Sequence, residues 1–219
     1  EKRFFISGDI TSDAVRTGNT NLVELMLRSN VHKPNDITNI AASCNHRNIL
    51  ELLFFNGFKR EARILQAAAI RSHFELLKWL LLDIKCPYDT NVSKIVASTG
   101  SLTMIEWLDN ECYEFDESIM DGAARSNSLD LLKWLHKNNY KLTVHTFRTA
   151  THSNNYDILN WLYENNCPWD DGSYDFPITN KDLELINWLY EKGCPLQSKN
   201  IFYSVGYSPC NKILKWFID

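Results

Sequence analysis

No stretch of this 219-residue chain stays apolar for long; Trp79-Leu80-Leu81-Leu82 is as long as its apolar runs become. That is far short of the roughly 20 residues a spanning helix needs, and Phe4-Phe5-Ile6 is too short for the apolar part of a secretory signal. An excess of positive charge is also missing. Lys and Arg number 23 against 27 Asp and Glu, for a formal net charge of −4, so neither phosphate backbones nor anionic lipid are favoured partners. No CxxC pair, HExxH, GxSxG or Walker-type glycine loop occurs, which leaves a zinc site, a hydrolase elbow and a nucleotide cradle without support. We expect no metal, no cofactor and no catalysis. The eight glycines look scattered, several of them near helix ends, and the six cysteines read as reduced thiols because a chain this size needs no covalent staples.

What the sequence does contain is repetition, which has to be sought before local structure. LLKWL stands at 76–80 and again at 131–135, and six near-copies begin at Leu22, Ile49, Met104, Ile158, Leu185 and Ile213. The fourth residues of these pentads fall at 25, 52, 79, 107, 134, 161, 188 and 216, a period of 27 residues with an occasional 28. Below, this fourth position is the ladder residue, and other positions are counted from it. Within a pentad the first, second, fourth and fifth residues are apolar, a broad helical face, while the middle one is Glu, Lys or Asn and should face water. Six of the seven tryptophans belong to the ladder, and we read them as core between units.

A second pattern precedes each pentad. Small residues stand eleven and ten before the ladder, as in Ala14-Val15, Ala41-Ala42, Ala68-Ala69, Val96-Ala97, Ala123-Ala124 and Ala150-Thr151; small side chains let helices approach closely. Ile37, Ile64, Val92 and Ile119 come four residues earlier, predicting a first, shorter helix with an i, i+4 apolar edge. Asp89, Asp116, Thr143 and Asp170 sit where a side-chain oxygen caps that helix. In the seventh unit Pro177 replaces the first small residue, so its helix should be broken or shortened. The fold class expected is all-α, a solenoid of about eight helix pairs forming one repeat domain over 1–219, with Glu1 to Asp9 a remnant of a preceding unit or cap.

Cys167-Pro168-Trp169-Asp170, with partial matches at Cys86-Pro87-Tyr88-Asp89 and Cys194-Pro195-Leu196, together with the Lys-Trp helix, resembles short ankyrin-like repeats. Repeats of this kind abound in giant amoeba-infecting DNA viruses and some protists. The resemblance covers the chain from about residue 10 to its end. It implies a non-catalytic scaffold that binds a protein, in the cytoplasm of a cell or infected host or associated with the virion. It also implies two alternatives: the target-recognition part of an F-box ubiquitin-ligase adaptor whose F-box lies outside this chain, or a structural component of a viral particle. Compared with ordinary ankyrin units, six residues fewer per unit predict stubby connecting loops.

Candidate binding residues are those that recur in place but not in kind. Thirteen and nine before the ladder stand Asn39 with Ser43, Gln66 with Ile70, Lys94 with Ser98, Asp121 with Arg125, Arg148 with His152, and Tyr203 with Tyr207. The core pattern does not require them, and stacked units would line them up on a concave first-helix face of the sort solenoids offer to partners. Trp169, outside the ladder, is the best single aromatic anchor, although Phe115, Leu142 and Leu196 fill the same slot and point to loop packing. His46 and His73 share a register six before the ladder and read as structural; His136, His145 or His152 acting as base to Cys167 has little to hold it in place.

Overall fold

The computed structural model describes residues 8–29, 34 and 36–196, and every regular element among them is helical. In chain order these are α1 (Gly8–Arg16), α2 (Thr20–Arg28), α3 (Ile37–Ser43), α4 (Arg47–Phe55), α5 (Ala62–Ile70), α6 (Phe74–Leu82) and α7 (Thr90–Ser98). They continue with α8 (Leu102–Asn110), α9 (Ile119–Arg125), α10 (Leu129–Lys137), α11 (Val144–Ala150), α12 (Tyr156–Glu164), α13 (Asp175–Asn180) and α14 (Leu183–Glu191). Each even-numbered helix carries one pentad; the odd-numbered helix before it carries the small-residue pair, except that Thr151 falls just beyond α11 and that α13 has Pro177 and Ile178 at those positions. Gly8 and Asp9 fall within α1, and Glu1 to Ser7, the rest of the expected remnant, lie outside the described residues. The eighth pentad, Tyr203 and Tyr207 lie outside the described residues.

The helices are divided between two compact units. Among the described residues, the first takes those up to Val96 with Trp107–Glu114, and the second takes Ala97–Glu106 with those from Phe115 onward. In the first, α3 packs between α1 and α5, and α2 meets α4; in the second, α9 packs on α11, which in turn meets the 3-10 turn leading into α13. The small residues make this approach possible: Ala41, Ala42, Ala68, Ala69, Ala123, Ala124 and Ala150 are all fully buried. Ile37, Ile64, Val92 and Ile119 are buried with them. A further buried position, fourteen before the ladder, holds Thr11, Thr38, Leu65, Ser93, Met120, Phe147 and Tyr174; so mixed a set of side chains hides its register in the sequence.

Apart from the half-buried Leu22, the described pentads bury their first, second and fifth residues, as in Leu131, Leu132 and Leu135 or Ile158, Leu159 and Leu162. The ladder residue itself is not the inter-unit core expected of it. Among the described ladder residues only Trp79 is buried; Leu52, Trp107, Trp134, Trp161 and Trp188 are partly exposed, and Leu25 is 59% exposed. Position four lies at the rim of the helix face, where an indole lays its flank on the previous pair. Arg47 on α4 stands 4.6 Å from the Trp79 ring, Lys78 on α6 stands 5.5 Å from Trp107, and His136 on α10 meets Trp161 edge-on at 5.6 Å.

Both turns of each pair require left-handed backbone, and in a fixed register. Gly18, Asn45, Ser72, Gly100, Asn127, Asn154 and Lys181, all seven before the ladder, have positive φ. So do Gly57, Cys112, Asn139, Asn166 and Gly193, all five after it. Four of the glycines that look scattered in the sequence, Gly18, Gly57, Gly100 and Gly193, therefore share two positions with Asn, the residue that tolerates this region best after Gly. After α6 the left-handed residue is Lys85, one place later, and the amide of Cys86 reaches the Leu80 carbonyl where Phe58 and Cys167 reach Leu53 and Leu162. The additional residue of the 28-residue spacing is thus taken up in that turn.

Pro177 behaves as its chemistry requires. A 3-10 turn at Asp171–Tyr174 precedes α13, which is only six residues long and has Pro177 in its first turn, where no intrahelical donor is needed. Among the capping residues, the Thr143 hydroxyl accepts from the Thr146 amide and the Asp89 carboxylate from the Val92 amide. The Asp116 carboxylate accepts from the Ser118 amide and hydroxyl. Asp170 departs from this pattern and commits its carboxylate to Arg148.

Candidate functional site

The proposed stripe separates into two rows of different character. In the row thirteen before the ladder, three residues are tied to the next helix pair. Gln66 Nε2 donates to both carboxylate oxygens of Asp89 at 3.3 and 3.0 Å, joining α5 to the residue that caps α7. Asp121 on α9 accepts from the Thr146 hydroxyl on α11 at 3.0 Å. Arg148 on α11 grips Asp170 through two N–H groups, Nε at 2.8 Å and Nη2 on the second oxygen. Contrary to expectation, the frame does use these side chains: they bond one pair to the next. Asn39 and Lys94 are half-buried in the same row.

The row nine before the ladder is more open. Ile70 is 61% exposed, and Arg125 and His152 are exposed, whereas Ser43 and Ser98 are half-buried. His152 stacks face to face on Phe176 with ring centroids 4.1 Å apart. Partial burial and the nearby Arg125 charge both lower its pKa, favouring the neutral imidazole.

Arg148 is held with unusual closeness. Its guanidinium lies over Gly172, where an added Cβ would fall 2.3 Å from Cζ, so glycine here makes room for a side chain and not for a backbone angle. Hydrogen bonding from Arg148 is the main cause that holds the Asp170 carboxyl below its ordinary value, and burial opposes it. Asp171 and Asp175 add negative charge around the same guanidinium.

Trp169 is packed as well as placed on the surface. Its ring meets Phe147 edge-on at 5.0 Å, Tyr163 at 5.3 Å and Trp188 at 6.5 Å. Tyr163 remains 39% exposed beside it, with the Lys192 ammonium 4.9 Å from the Tyr163 ring.

Among the described residues His46, His73, Cys167 and Cys194 direct their side chains to backbone carbonyls. His46 and His73 sit at helix N-termini but cap nothing there; the Nε2 of each donates backward, to the Arg16 carbonyl at 3.0 Å and the Ser43 carbonyl at 3.1 Å, closing the first helix of the preceding pair. Asn19, Ser128, Asn155 and Asp182 occupy the same register and cap their own helices instead. Cys167 Sγ donates to the Thr143 carbonyl at 3.4 Å, and Cys194 Sγ to the Asp170 carbonyl at 3.3 Å. Burial pushes both thiols up to about 12 and Cys86 up to about 11, far from the values of a nucleophile. Cys44, Cys86, Cys112, Cys167 and Cys194 are all free thiols, with only Cys112 exposed.

Among the described residues no helix is long and apolar enough to cross a membrane, and no group of His, Cys, Asp and Glu is placed to hold a metal ion. Compared with models of protein families the sequence finds no match, and it matches none of the curated proteins.

Proposed function

We propose that this chain is a non-catalytic protein-binding scaffold, built as an ankyrin-like solenoid of short helix pairs and working inside a cell or infected host. The observation that carries the reading is the contrast between an invariant buried frame and the variable, outward side chains of the row nine before the ladder. Most positions that pack, the small-residue pair and the pentad leucines and isoleucines among them, are repeated in kind; Ile70, Arg125 and His152 are repeated only in place and remain exposed. Such a row gives specificity to a surface whose scaffold is generic. The row thirteen before the ladder contributes by holding consecutive pairs in register rather than by touching a partner.

Free, hydrogen-bonded thiols suit a reducing compartment. Two narrower readings share the same surface: target recognition for an F-box ubiquitin-ligase adaptor, and a structural role in a viral particle. Affinity capture with the wild-type chain and with an Arg125→Glu variant tests the main reading. Loss of specific partners from the variant, with unchanged helical circular dichroism, supports it. An identical set of captured proteins overturns the assignment of the row.

A further inference from the structure

The connecting loops of the second compact unit border an open, shallow groove that the first-helix rows do not share. Tyr140, Lys141 and Leu142 from the loop after α10, with His136 and Asn139, form one wall of a space of about 620 Å³; Asn165, Asn166 and Pro168 from the loop after α12 form the other. It continues into a space of about 290 Å³ bounded by Tyr163, Asn166, Cys167, Pro168 and Trp169. Asn166 and Pro168 line both, so the two spaces adjoin at the loop after α12 and are together called the trough.

Its chemistry is one-sided. No carboxylate lines either part. Lys141 is exposed in the larger space, and the Lys192 ammonium, which lines neither space, lies over Tyr163 beside the smaller one. The nearest acid along α12, Glu164, does not line the trough, and the Asp170 carboxylate beside Trp169 is already engaged by Arg148. In a chain with a net charge of −4, this is a local reversal of sign. Between the two lysines run the amide side chains of Asn139 and Asn166, with Asn165, whose Nδ2 already donates to the Trp161 carbonyl, and the flat surfaces of Tyr163, Pro168 and Trp169. Amides at intervals suit the carbonyls and N–H groups of an extended backbone, and aromatic faces suit proline or aromatic side chains. Charge complementarity then sets the sign of the occupant and steers its approach.

We infer that the trough between the loops after α10 and α12 binds an acidic, extended peptide segment of another protein, with a proline or aromatic residue of that segment resting on Tyr163 and Trp169. This surface is separate from the exposed first-helix row, so its failure would leave that row untouched.

The test is selection from a random-peptide phage library on the full chain, followed by affinity measurement of the enriched peptides by fluorescence anisotropy. The expected pool is rich in Asp and Glu with Pro or an aromatic residue, and Lys141→Glu weakens its members by about tenfold or more. Lys141→Met gives a smaller loss, and Tyr163→Ala weakens binding with the helical circular dichroism unchanged; Arg125→Glu leaves it unaltered. A pool without acidic bias, no enriched pool at all, or binders indifferent to Lys141→Glu each overturns the inference. So does tight binding of labelled oligothymidylate that Lys141→Glu abolishes, since the trough would then be a site for nucleic acid.

Discussion

Arg148 and Asp170 stand twenty-two residues apart in sequence and hold each other through both oxygens of the carboxylate, with the guanidinium resting on Gly172. The pair links α11 to the loop ahead of α13, and each side chain remains about a third exposed. Solvent screening therefore limits its contribution. Arg148→Ala should lower stability by about 1 kcal/mol, the upper end for a partly exposed pair, because its geometry is two-pronged. Gly172→Ala should be at least as harmful, since its methyl displaces the guanidinium. In the Arg148→Ala background the same glycine change should cost almost nothing. Urea denaturation of the four proteins checks this; additive losses would show that Gly172 serves another purpose.

The same carboxylate sets a pH dependence. Its folded pKa lies below the ordinary 3.8, so its stabilising effect is fully present above that value and is lost as pH falls through the lowered one. Wild type and Asp170→Asn should differ at about pH 5, and the gap, under about 1 kcal/mol for a pair this exposed, should narrow as pH falls below 3.8. Parallel curves over that range would contradict the assignment.

Gly18 and Gly57 both have left-handed φ, of 73° and 83°, but differ in surroundings. A Cβ on Gly57 meets nothing, whereas one on Gly18 falls 2.8 Å from the His46 ring. Alanine at Gly57 should cost about 1 kcal/mol, from backbone strain alone. At Gly18 it should cost more, because the imidazole that donates to the Arg16 carbonyl must also move. Thermal melts of Gly18→Ala alone and combined with His46→Ala separate the two causes. Equal losses at both glycines would mean that the ring yields freely.

Trp134 is partly exposed while Leu135, next to it, is completely buried. Leu135→Ala should therefore destabilise by about 2–5 kcal/mol and Trp134→Ala by less than about 2 kcal/mol, despite the larger side chain removed. Chemical denaturation that ranks them the other way would restore the indole to the core.

The sequence made the helix pairs legible because packing against a neighbour constrains residue type at each turn of a repeat. Alanine, isoleucine and the pentad leucines recur where a helix must come close, and the same residues are buried. Tryptophan misled for a related reason: an indole recurs at a rim as readily as inside, since its flank can cover apolar surface while its edge stays wet. The turn geometry went unread because Gly, Asn, Ser, Lys and Cys all adopt the left-handed angle there, so the repeated quantity is a dihedral and not a side chain. In the candidate stripe the register of Gln66, Asp121 and Arg148 was visible, but their partners Asp89, Thr146 and Asp170 lie 22 to 25 residues on, a distance that only the folded chain brings together.

The additional residue before Cys86 shows where such a chain can change length. Gained in that turn, it leaves the helices on both sides presenting the same faces. Gained within a helix, it would rotate everything beyond it by about 100° and turn oily residues outward. Insertions and deletions among natural variants should therefore collect at this turn, leaving the helices uniform in length while the loops drift.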